Sequence, residues 1–190
     1  MRKLKTHELP RLSSEAFQVS KKTPLVIVLD NVRSMHNVGA AFRIADAFLI
    51  EKLYLCGITA TPPQREIHKT ALGAEKHVAW EQVQDTQTII KQLKKEGYLT
   101  IAVEQTNASQ ALHLAAYPAM QKYAVVFGHE VFGIQEEVLH ACDACLEIPQ
   151  YGVKHSLNVS VSIGIVVWEL THKSRQTNNM AGKSSINYPQ

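Results

Sequence analysis

The stretch IPQYGVKHSLNVSVSIGIVVWEL, residues 148–170, decides how this chain folds. Its first part is polar and irregular, because Pro149 and Gly152 do not favour a regular element. Its second part is a long apolar helix. The first N–H groups of a helix lack partners within the helix and carry the positive end of its dipole. We therefore predict a ligand-binding loop in which Ser156 and Asn158 lie beside the start of the helix.

The helix after this loop is apolar on nearly every side, which is not typical of a half-exposed surface helix. It needs cover on two sides, and either full burial inside one chain or a homodimer interface would supply it. Small residues at positions 160, 162 and 164 would let a second chain approach closely. The apolar positions are Val159, Val161, Ile163, Ile165, Val166, Val167, Trp168 and Leu170.

Apolar runs of strand length alternate with segments of helical period along the rest of the chain. This pattern predicts an α/β fold with a mostly parallel sheet and helices on both faces. The predicted strands are residues 25–29, 53–56, 99–103, 123–127 and 145–148, and the predicted helices are 37–49, 86–96 and 135–141. Residues 61–80 are predicted to be a long functional loop, and the polar tail after His172 is predicted to be flexible.

The length of 190 residues predicts one domain. No apolar run is long enough to span a bilayer, and residues 1–22 contain no secretory signal, so we expect a cytoplasmic protein. Three cysteines fit a reducing compartment. Cys142 and Cys145 have CxxC spacing, but they lack the second pair of ligands that a zinc site needs, so we interpret them as structural.

The net charge of +3 and the pI near 8.7 permit an anionic partner without requiring one. The positive charge is concentrated in two patches, for which ordinary solvated charge is the alternative interpretation. One patch is N-terminal and contains Arg2, Lys3, Lys5, Arg11, Lys21 and Lys22. The other lies in the middle of the chain and contains Arg65, His68, Lys69, Lys76 and His77.

The segment DNVRSMHNVGAAFRIADAF, residues 30–48, follows the first predicted strand. On a helical wheel Arg43 points away from the apolar stripe and leans over Gly39, where no side chain obstructs it. We interpret Arg43 as a guanidinium that projects toward the strand end. The alternative is an ordinary surface pair between Arg43 and Asp46, three residues apart.

The segment VVFGHEVFGI, residues 125–134, is a buried strand that ends at Gly128. Glycine at a strand end lets a ligand or a loop approach the backbone closely. Glu130 would orient a hydroxyl, an amine or a neighbouring arginine. The alternative is that Glu130 caps the helix predicted from Gln135.

Together the three segments resemble the SpoU/TrmH branch of the SPOUT superfamily, which comprises S-adenosylmethionine-dependent RNA 2′-O-ribose methyltransferases. The similarity covers about residues 25–170, and the motifs agree in order and separation. The first motif is matched by Asn37, Gly39 and Arg43, and the second by Gly128, Glu130 and Gly133. The third is matched by Ile148, Pro149, Gly152, Ser156, Leu157, Asn158 and Val159. His129, Val131 and Phe132 depart from the residues often found in relatives.

The resemblance implies a C-terminal deep trefoil knot in residues 25–172, with a basic extension at 1–24 and a tail at 173–190. It also implies a homodimer through the last helix and S-adenosyl-L-methionine bound in the knot. The implied cofactor-binding residues are Val103, Glu104, Gly128, Ile148, Ser156 and Leu157. The implied catalytic residues are Arg43, Glu130, Asn158 and Asn37, with Glu130 holding Arg43 or Asn37 in position.

For the RNA, we expect contacts from Arg11, Arg33, Arg65, Lys69 and Lys76. The short N-terminal extension favours tRNA over rRNA. A knotted RNA-binding module without catalysis is the alternative function, whereas a nicotinamide-dependent oxidoreductase would need a GxGxxG motif after the first strand. We expect no metal, because His36, His129 and His155 lack ligand spacing on one element.

Overall fold

The computed structural model describes residues 1–9, 11–116, 118 and 121–180, of which Thr6 and 174–180 are described by their backbone alone. The strands are β1 (Thr23–Asp30), β2 (Ile50–Cys56), β3 (Trp80–Val83), β4 (Tyr98–Val103), β5 (Gln110–Ala111), β6 (Lys122–Phe127) and β7 (Ala144–Glu147). The α-helices are α1 (Ser14–Val19), α2 (Met35–Ala47), α3 (Arg65–Ala71), α4 (Thr86–Lys95), α5 (Glu136–Ala141) and α6 (Val159–Met180).

The strands form one parallel sheet in the order β3-β2-β1-β6-β4-β7-β5. Both faces are covered, as the sequence predicts: in β1, Leu25 and Ile27 point into one apolar core, while Val26 and Val28 point into the other. Helices α1, α2, α3 and α6 contribute to the first core, and α4 and α5 to the second. Continuous apolar strands such as β1 suit this arrangement, because each face needs its own layer of side chains.

The prediction of a loop at residues 61–80 is wrong. This segment contains α3 and a short 3-10 turn at Ala74–Lys76, and it buries Ile67, Ala71 and Val78 in the first core. The helix was missed because it is short and its first residue is preceded by Gln64, which makes no side-chain cap. The strands β3 and β5 and the helix α1 were not predicted either, because they are also short.

The segment predicted to be a flexible tail begins as helix, because α6 continues to Met180. Residues 173–180 contain no proline or glycine that would end the helix. Lys173 also forms an ion pair of 2.8 Å with Glu169, one turn earlier. The last ten residues of the predicted tail, 181–190, lie outside the described residues.

Helix α6 is buried on one side only. Ile163, Val166, Val167 and Leu170 lie in the core, packed toward α2. The opposite side forms an exposed apolar stripe, which Leu157 extends just before the helix begins. The exposed fractions are 39% for Leu157, 49% for Val161, 38% for Ile165 and 56% for Trp168. The interpretation of full burial inside one chain is therefore wrong for the part of α6 whose side chains are described.

Gly39 is required by the contact between α2 and α3. A Cβ atom at this position would lie 2.0 Å from Thr70 Oγ1 and 2.3 Å from the carbonyl oxygen of Ile67. The prediction that Gly39 leaves open space beneath Arg43 is therefore wrong, because α3 fills that space.

None of the helices that the structure describes is long and apolar enough to cross a membrane.

Candidate active site

A cleft of about 380 Å³ opens at the carboxyl ends of β4, β6 and β7. Parallel α/β sheets commonly bind ligands at this edge, where the loops after the strands converge. All six residues predicted to bind the cofactor line the cleft: Val103, Glu104, Gly128, Ile148, Ser156 and Leu157. Two of the predicted catalytic residues, Glu130 and Asn158, line it as well. The fold thus brings together side chains that are up to 55 positions apart in the sequence.

Gly128 is needed because the 129–133 loop folds back over the end of β6. His129 and Gly133 exchange two backbone hydrogen bonds, with N···O distances of 3.0 and 2.8 Å. A Cβ atom on Gly128 would lie 2.2 Å from the carbonyl carbon of Gly133 and 2.3 Å from the backbone nitrogen of Ile134. The predicted close approach at this strand end is therefore made by the chain's own backbone.

Glu130, Asn37 and Asn158 form one chain of hydrogen bonds that joins the three motifs. Asn37 Nδ2 donates to Glu130 Oε1 at 2.9 Å, and Asn158 Nδ2 donates to Asn37 Oδ1 at 3.2 Å. Asn158 Oδ1 in turn accepts from the backbone N–H of Ser160 at 2.9 Å, which caps the start of α6. In both asparagines the side-chain nitrogen donates one hydrogen bond and the side-chain oxygen accepts another. These bonds fix the orientation of Asn158 at the edge of the cleft.

Glu130 also anchors the loop after β1. Its carboxylate accepts hydrogen bonds from the backbone N–H groups of Arg33, at 3.0 Å, and Ser34, at 2.9 Å. The alternative interpretation, in which Glu130 caps the helix after Gln135, is wrong. Burial alone would raise the pKa of Glu130, but the hydrogen bonds from Asn37, Ser34 and Arg33 outweigh it, and the pKa is lowered.

The variant Glu130→Gln should lower the free energy of unfolding by about 1–3 kcal/mol, because one end of the new amide is a donor facing other donors. The lowered pKa means that the carboxylate stabilises the fold above the ordinary glutamate pKa of about 4.3, and that this stabilisation is lost as the pH falls through the lowered value. Urea unfolding at pH 7 and at acidic pH measures both effects. The control is Glu136→Gln, at an exposed position of α5. Equal losses in the two variants would contradict the prediction.

Three carboxylates line the cleft, and one of them, Glu147, was not predicted from the sequence. Glu147 Oε2 accepts from Ser109 Oγ at 2.9 Å, and Glu104 accepts from the backbone N–H groups of Gln105 and Ile134. Glu130 is the third. Their negative charges would attract a cationic ligand. Glu147 is the last residue of β7 and the last but one of the predicted strand 145–148, and this place near a strand end was the signal that could have identified it.

The 149–158 loop is held against the segment that follows β4. Gln105 Nε2 donates to the carbonyl oxygen of His155 at 2.7 Å. Both segments line the cleft, through Gln105 on one side and Gln150, Ser156 and Leu157 on the other. Gln105 and Gln150 were not predicted from the sequence, because a single glutamine in a loop carries no pattern.

Arg43 does not lie in the cleft. It is exposed on α2 beside a separate open hollow of about 470 Å³, which is lined by Ala40, Ile44, Ala47, Phe48, Lys69 and Thr70. The prediction that Arg43 projects toward the strand end is therefore wrong within one chain. Glu130 holds Asn37 rather than Arg43.

The alternative interpretation, a surface ion pair between Arg43 and Asp46, is also wrong. Asp46 Oδ1 lies 2.9 Å from His77 Nε2, so this carboxylate pairs with the residues after α3 rather than with Arg43. Arg43 is left beside Lys69 at the rim of the open hollow.

All five residues predicted to contact RNA are exposed: Arg11, Arg33, Arg65, Lys69 and Lys76. Arg33 lies in the loop that Glu130 anchors, beside the cleft. Lys69 is engaged by Glu66 on the same helix, at 2.7 Å. Arg33 therefore lies beside the cleft and Arg65, Lys69 and Lys76 lie on or after α3, whereas Arg11 precedes α1.

The histidines and cysteines have separate partners. His36 lies 3.4 Å from Glu66, and His129 Nδ1 accepts from the backbone N–H of Val131 at 3.0 Å. The three cysteines are free, and burial raises the pKa of both Cys56 and Cys142 to about 12. Within the described ranges, no three His, Cys, Asp or Glu side chains are grouped so that they could hold a metal ion.

The motif geometry agrees with a comparison to known families, in which residues 24–168 match the SpoU rRNA Methylase family. The chain belongs to the SpoU rRNA Methylase family. The match includes every residue that lines the cleft and also Arg43. The resemblance identified in the sequence is thus confirmed at the level of the family.

Among SpoU relatives, the 23S rRNA (guanosine-2′-O-)-methyltransferase RlmB of Nitrosomonas europaea is 33% identical over 165 residues, 87% of this chain and 61% of that protein. The tRNA (guanosine(18)-2′-O)-methyltransferase TARBP1 of Mus musculus is 32% identical over 151 residues, 78% of this chain but 9% of that protein. The chain therefore spans less than two thirds of the length of these curated relatives.

Solved SpoU structures share the fold. The A. aeolicus TrmH/SpoU tRNA modifying enzyme superimposes with a TM-score of 0.75 and 26% identity, over 92% of this chain and 86% of that one. The AdoMet-bound rRNA methyltransferase of Sinorhizobium meliloti superimposes with a TM-score of 0.74 and 24% identity, over 80% of this chain and 57% of that one.

Proposed function

We propose that this protein transfers a methyl group from S-adenosyl-L-methionine to a ribose 2′-hydroxyl of structured RNA, with tRNA favoured over rRNA. The observation that carries the proposal is the hydrogen-bonded chain Glu130–Asn37–Asn158 at the edge of a cleft built from the second and third motifs. These hydrogen bonds join all three motifs of the SpoU family at one place. A separate structural role for each motif would not require that they meet.

The cleft suits the cofactor in shape and in charge. Apolar side chains, including Val103, Ile148 and Leu157, provide walls for an adenine ring, while Ser156 provides a hydroxyl for polar groups. The carboxylates of Glu104, Glu130 and Glu147 would attract the positively charged sulfonium and ammonium groups of the cofactor. When bound, the cofactor supplies an electrophilic methyl group on sulfur.

The side chains of this protein would align the RNA and assist the loss of a proton. The residues that line the cleft would hold the cofactor, which would supply the methyl group to the 2′-oxygen and remain as S-adenosylhomocysteine, while the hydroxyl proton would pass to solvent water. Asn158, oriented by Asn37, would hold the ribose in line, and such alignment contributes several kcal/mol to catalysis. Arg43 would stabilise the developing negative charge on oxygen and grip the adjacent phosphate. It would not act as a base, because a guanidinium has only hydrogen-bond donors and no acceptor for a proton.

The position of Arg43 is explained if the protein is a homodimer through α6. The exposed stripe of α6 begins at Leu157 in the cleft and ends at Trp168. Trp168 contacts Phe48, with ring centroids 6.2 Å apart, and Phe48 lines the hollow beside Arg43. The stripe therefore joins the cleft at one end to the Arg43 hollow at the other.

A two-fold axis across this stripe would bring unlike ends together. In a symmetric dimer the same surface of each protomer faces its copy, so antiparallel α6 helices place the end of one stripe opposite the start of the other. The Arg43 hollow of one protomer would then face the cleft of its partner. We therefore propose that Arg43 acts on the ribose bound by the partner protomer.

We also propose that the C-terminal segment forms the trefoil knot that the resemblance implies. Two features support this: β7 is inserted between β4 and β5, and the 149–158 loop is tied to the segment after β4 by Gln105. An experimental structure in which the chain after β7 passes outside the loop after β4 would contradict the knot.

The preference for tRNA has support from the relatives. The A. aeolicus structure, of which the chain covers 86%, is a tRNA modifying enzyme, whereas RlmB acts on 23S rRNA. The exposed residues Arg33, Arg65 and Lys76 would bind phosphates, which gives affinity without reading sequence.

The decisive experiment follows radioactive methyl transfer from labelled S-adenosylmethionine to tRNA and to rRNA, and then maps the methylated position. We expect label on ribose in tRNA. Ribose label in rRNA alone would contradict the tRNA preference, and methylation of bases alone would contradict the 2′-O position. Cofactor binding without transfer to either RNA would favour the non-catalytic RNA-binding module.

A further inference from the structure

A second cavity, of about 420 Å³, lies between residues 62–64, α3 and the start of β3. Its apolar surface comes from Pro62, Pro63 and the indole of Trp80, and its polar groups include His68 and Glu75. It shares no lining residue with the cleft at the strand ends. A cavity with flat apolar walls and a few polar groups fits a planar heterocycle.

The indole of Trp80 is held in place from the core side. It packs edge-to-face against Phe42, with ring centroids 6.5 Å apart and an interplanar angle of 88°. Its backbone is paired with Leu53 in the sheet. Because the ring is only partly buried, it offers a surface that is already ordered before a ligand stacks on it.

Glu75 lines the same cavity and carries one buried, unpaired carboxylate oxygen. Its side chain is 9% exposed, and Oε1 lies 2.6 Å from His68 Nδ1. Its Oε2 is buried and has no hydrogen-bond partner in the part of the chain that the structure describes. Buried polar atoms are nearly always paired, so an unpaired one points to a missing partner. A carboxylate accepts only, and the missing partner must therefore be a donor.

We propose that this cavity binds a nucleobase of the RNA that presents N–H donors on its Watson–Crick edge, guanine above all. Guanine presents two adjacent donors, N1–H and the 2-amino group, whereas the single N–H of uracil lies between two carbonyl oxygens. The base would stack on Trp80 and donate to Glu75, while exposed Arg65 and Lys76 lie on the adjoining elements for its phosphates. The inference rests on the proposed RNA substrate.

The test uses the indole N–H signals of ¹⁵N-tryptophan-labelled protein, kept saturated with S-adenosylhomocysteine. The chain has two tryptophans, so Trp168 serves as an internal control for Trp80. We expect GMP to shift the Trp80 signal saturably, with an affinity about tenfold or more above that of UMP, which corresponds to one extra charged hydrogen bond. Ribose 5-phosphate should leave the signal unchanged. A Trp80 signal that ignores GMP, or that responds equally to ribose 5-phosphate, would overturn the proposal.

The variant Glu75→Gln assigns the donor pairing. It should weaken GMP binding about tenfold and leave UMP binding nearly unchanged, since the amide replaces one acceptor oxygen by a donor. Lys91→Ala, at an exposed position of α4, is the control and should bind GMP normally. If Glu75→Gln does not fold, the comparison of GMP with UMP in the unaltered protein still tests the pairing, and equal affinities would overturn it.

The base site and the proposed activity can fail separately. Methyl transfer to RNA without a response of Trp80 to GMP would overturn the base site and leave the activity intact. A response of Trp80 without methyl transfer would support the base site and overturn the activity.

Discussion

Replacing Arg43 with alanine should lower the rate of methyl transfer by about 10²–10³-fold, the usual effect of removing one group that stabilises charge in the transition state. Cofactor binding should be unchanged, because Arg43 does not line the cleft. Single-turnover transfer and equilibrium binding of S-adenosylhomocysteine measure the two quantities. Lys91→Ala, which removes a positive charge on the other face of the sheet, is the control. Wild-type transfer by Arg43→Ala would show that this residue has no part in the chemistry.

Mixed dimers test whether Arg43 acts on the partner's substrate. An Arg43→Ala chain and an Asn158→Ala chain are each expected to be inactive alone. In a mixed dimer, one of the two sites would combine an intact Asn158 with the partner's intact Arg43. Random mixing in equal amounts should therefore restore about one quarter of the wild-type activity per site. If Arg43 acted within its own chain, mixing would restore nothing.

Replacing Trp168 with glutamate should convert the dimer to a monomer and remove most of the methyl transfer. The substitution places a charge at the end of the apolar stripe, opposite the start of the partner's stripe, where it would lose its hydration without gaining a partner. Trp168 is 56% exposed in the single chain, so the fold itself should tolerate the change. Sedimentation equilibrium measures the association, and circular dichroism checks the fold.

Two further variants make the dimer experiment decisive. Val19→Glu makes a similar change at an exposed apolar position of α1, away from the stripe, and should stay dimeric. Trp168→Ala removes the same contact surface without adding a charge and should weaken the dimer less. A monomeric wild-type protein, or an active monomer of Trp168→Glu, would contradict the proposed role of α6.

The positions of the main strands were predictable because their apolar runs are continuous. Strands buried on both faces, such as β1 and β6, contribute side chains to both cores. Nearly every residue in such a strand is apolar, and this continuous apolar run is visible in the sequence. Short elements carried no such signal. Helix α3 has seven residues, and its polar sequence REIHKTA is similar to that of a loop.

The candidate site was predictable where residues are placed by strand ends. Gly128 and Ile148 directly follow strands of one parallel sheet, and such strand ends meet at one edge. Arg43 lies on a helix rather than at a strand end, so its position was not predictable in this way. A helical wheel shows that it points away from the core, but several surfaces lie away from the core, and the wheel does not distinguish between them.

By itself, the sequence determined the layered α/β fold, the family, and those cleft residues that belong to the three motifs. These depend on periodicity and on short motifs, which are properties of one element at a time. Only the tertiary structure decided that Glu130 binds Asn37, that α3 packs against Gly39, and that α6 exposes an apolar stripe linking the cleft to Arg43. The reason is physical, since periodicity records which face of an element is buried but not which neighbour buries it. That neighbour depends on the order of the strands and on the packing of helices across them.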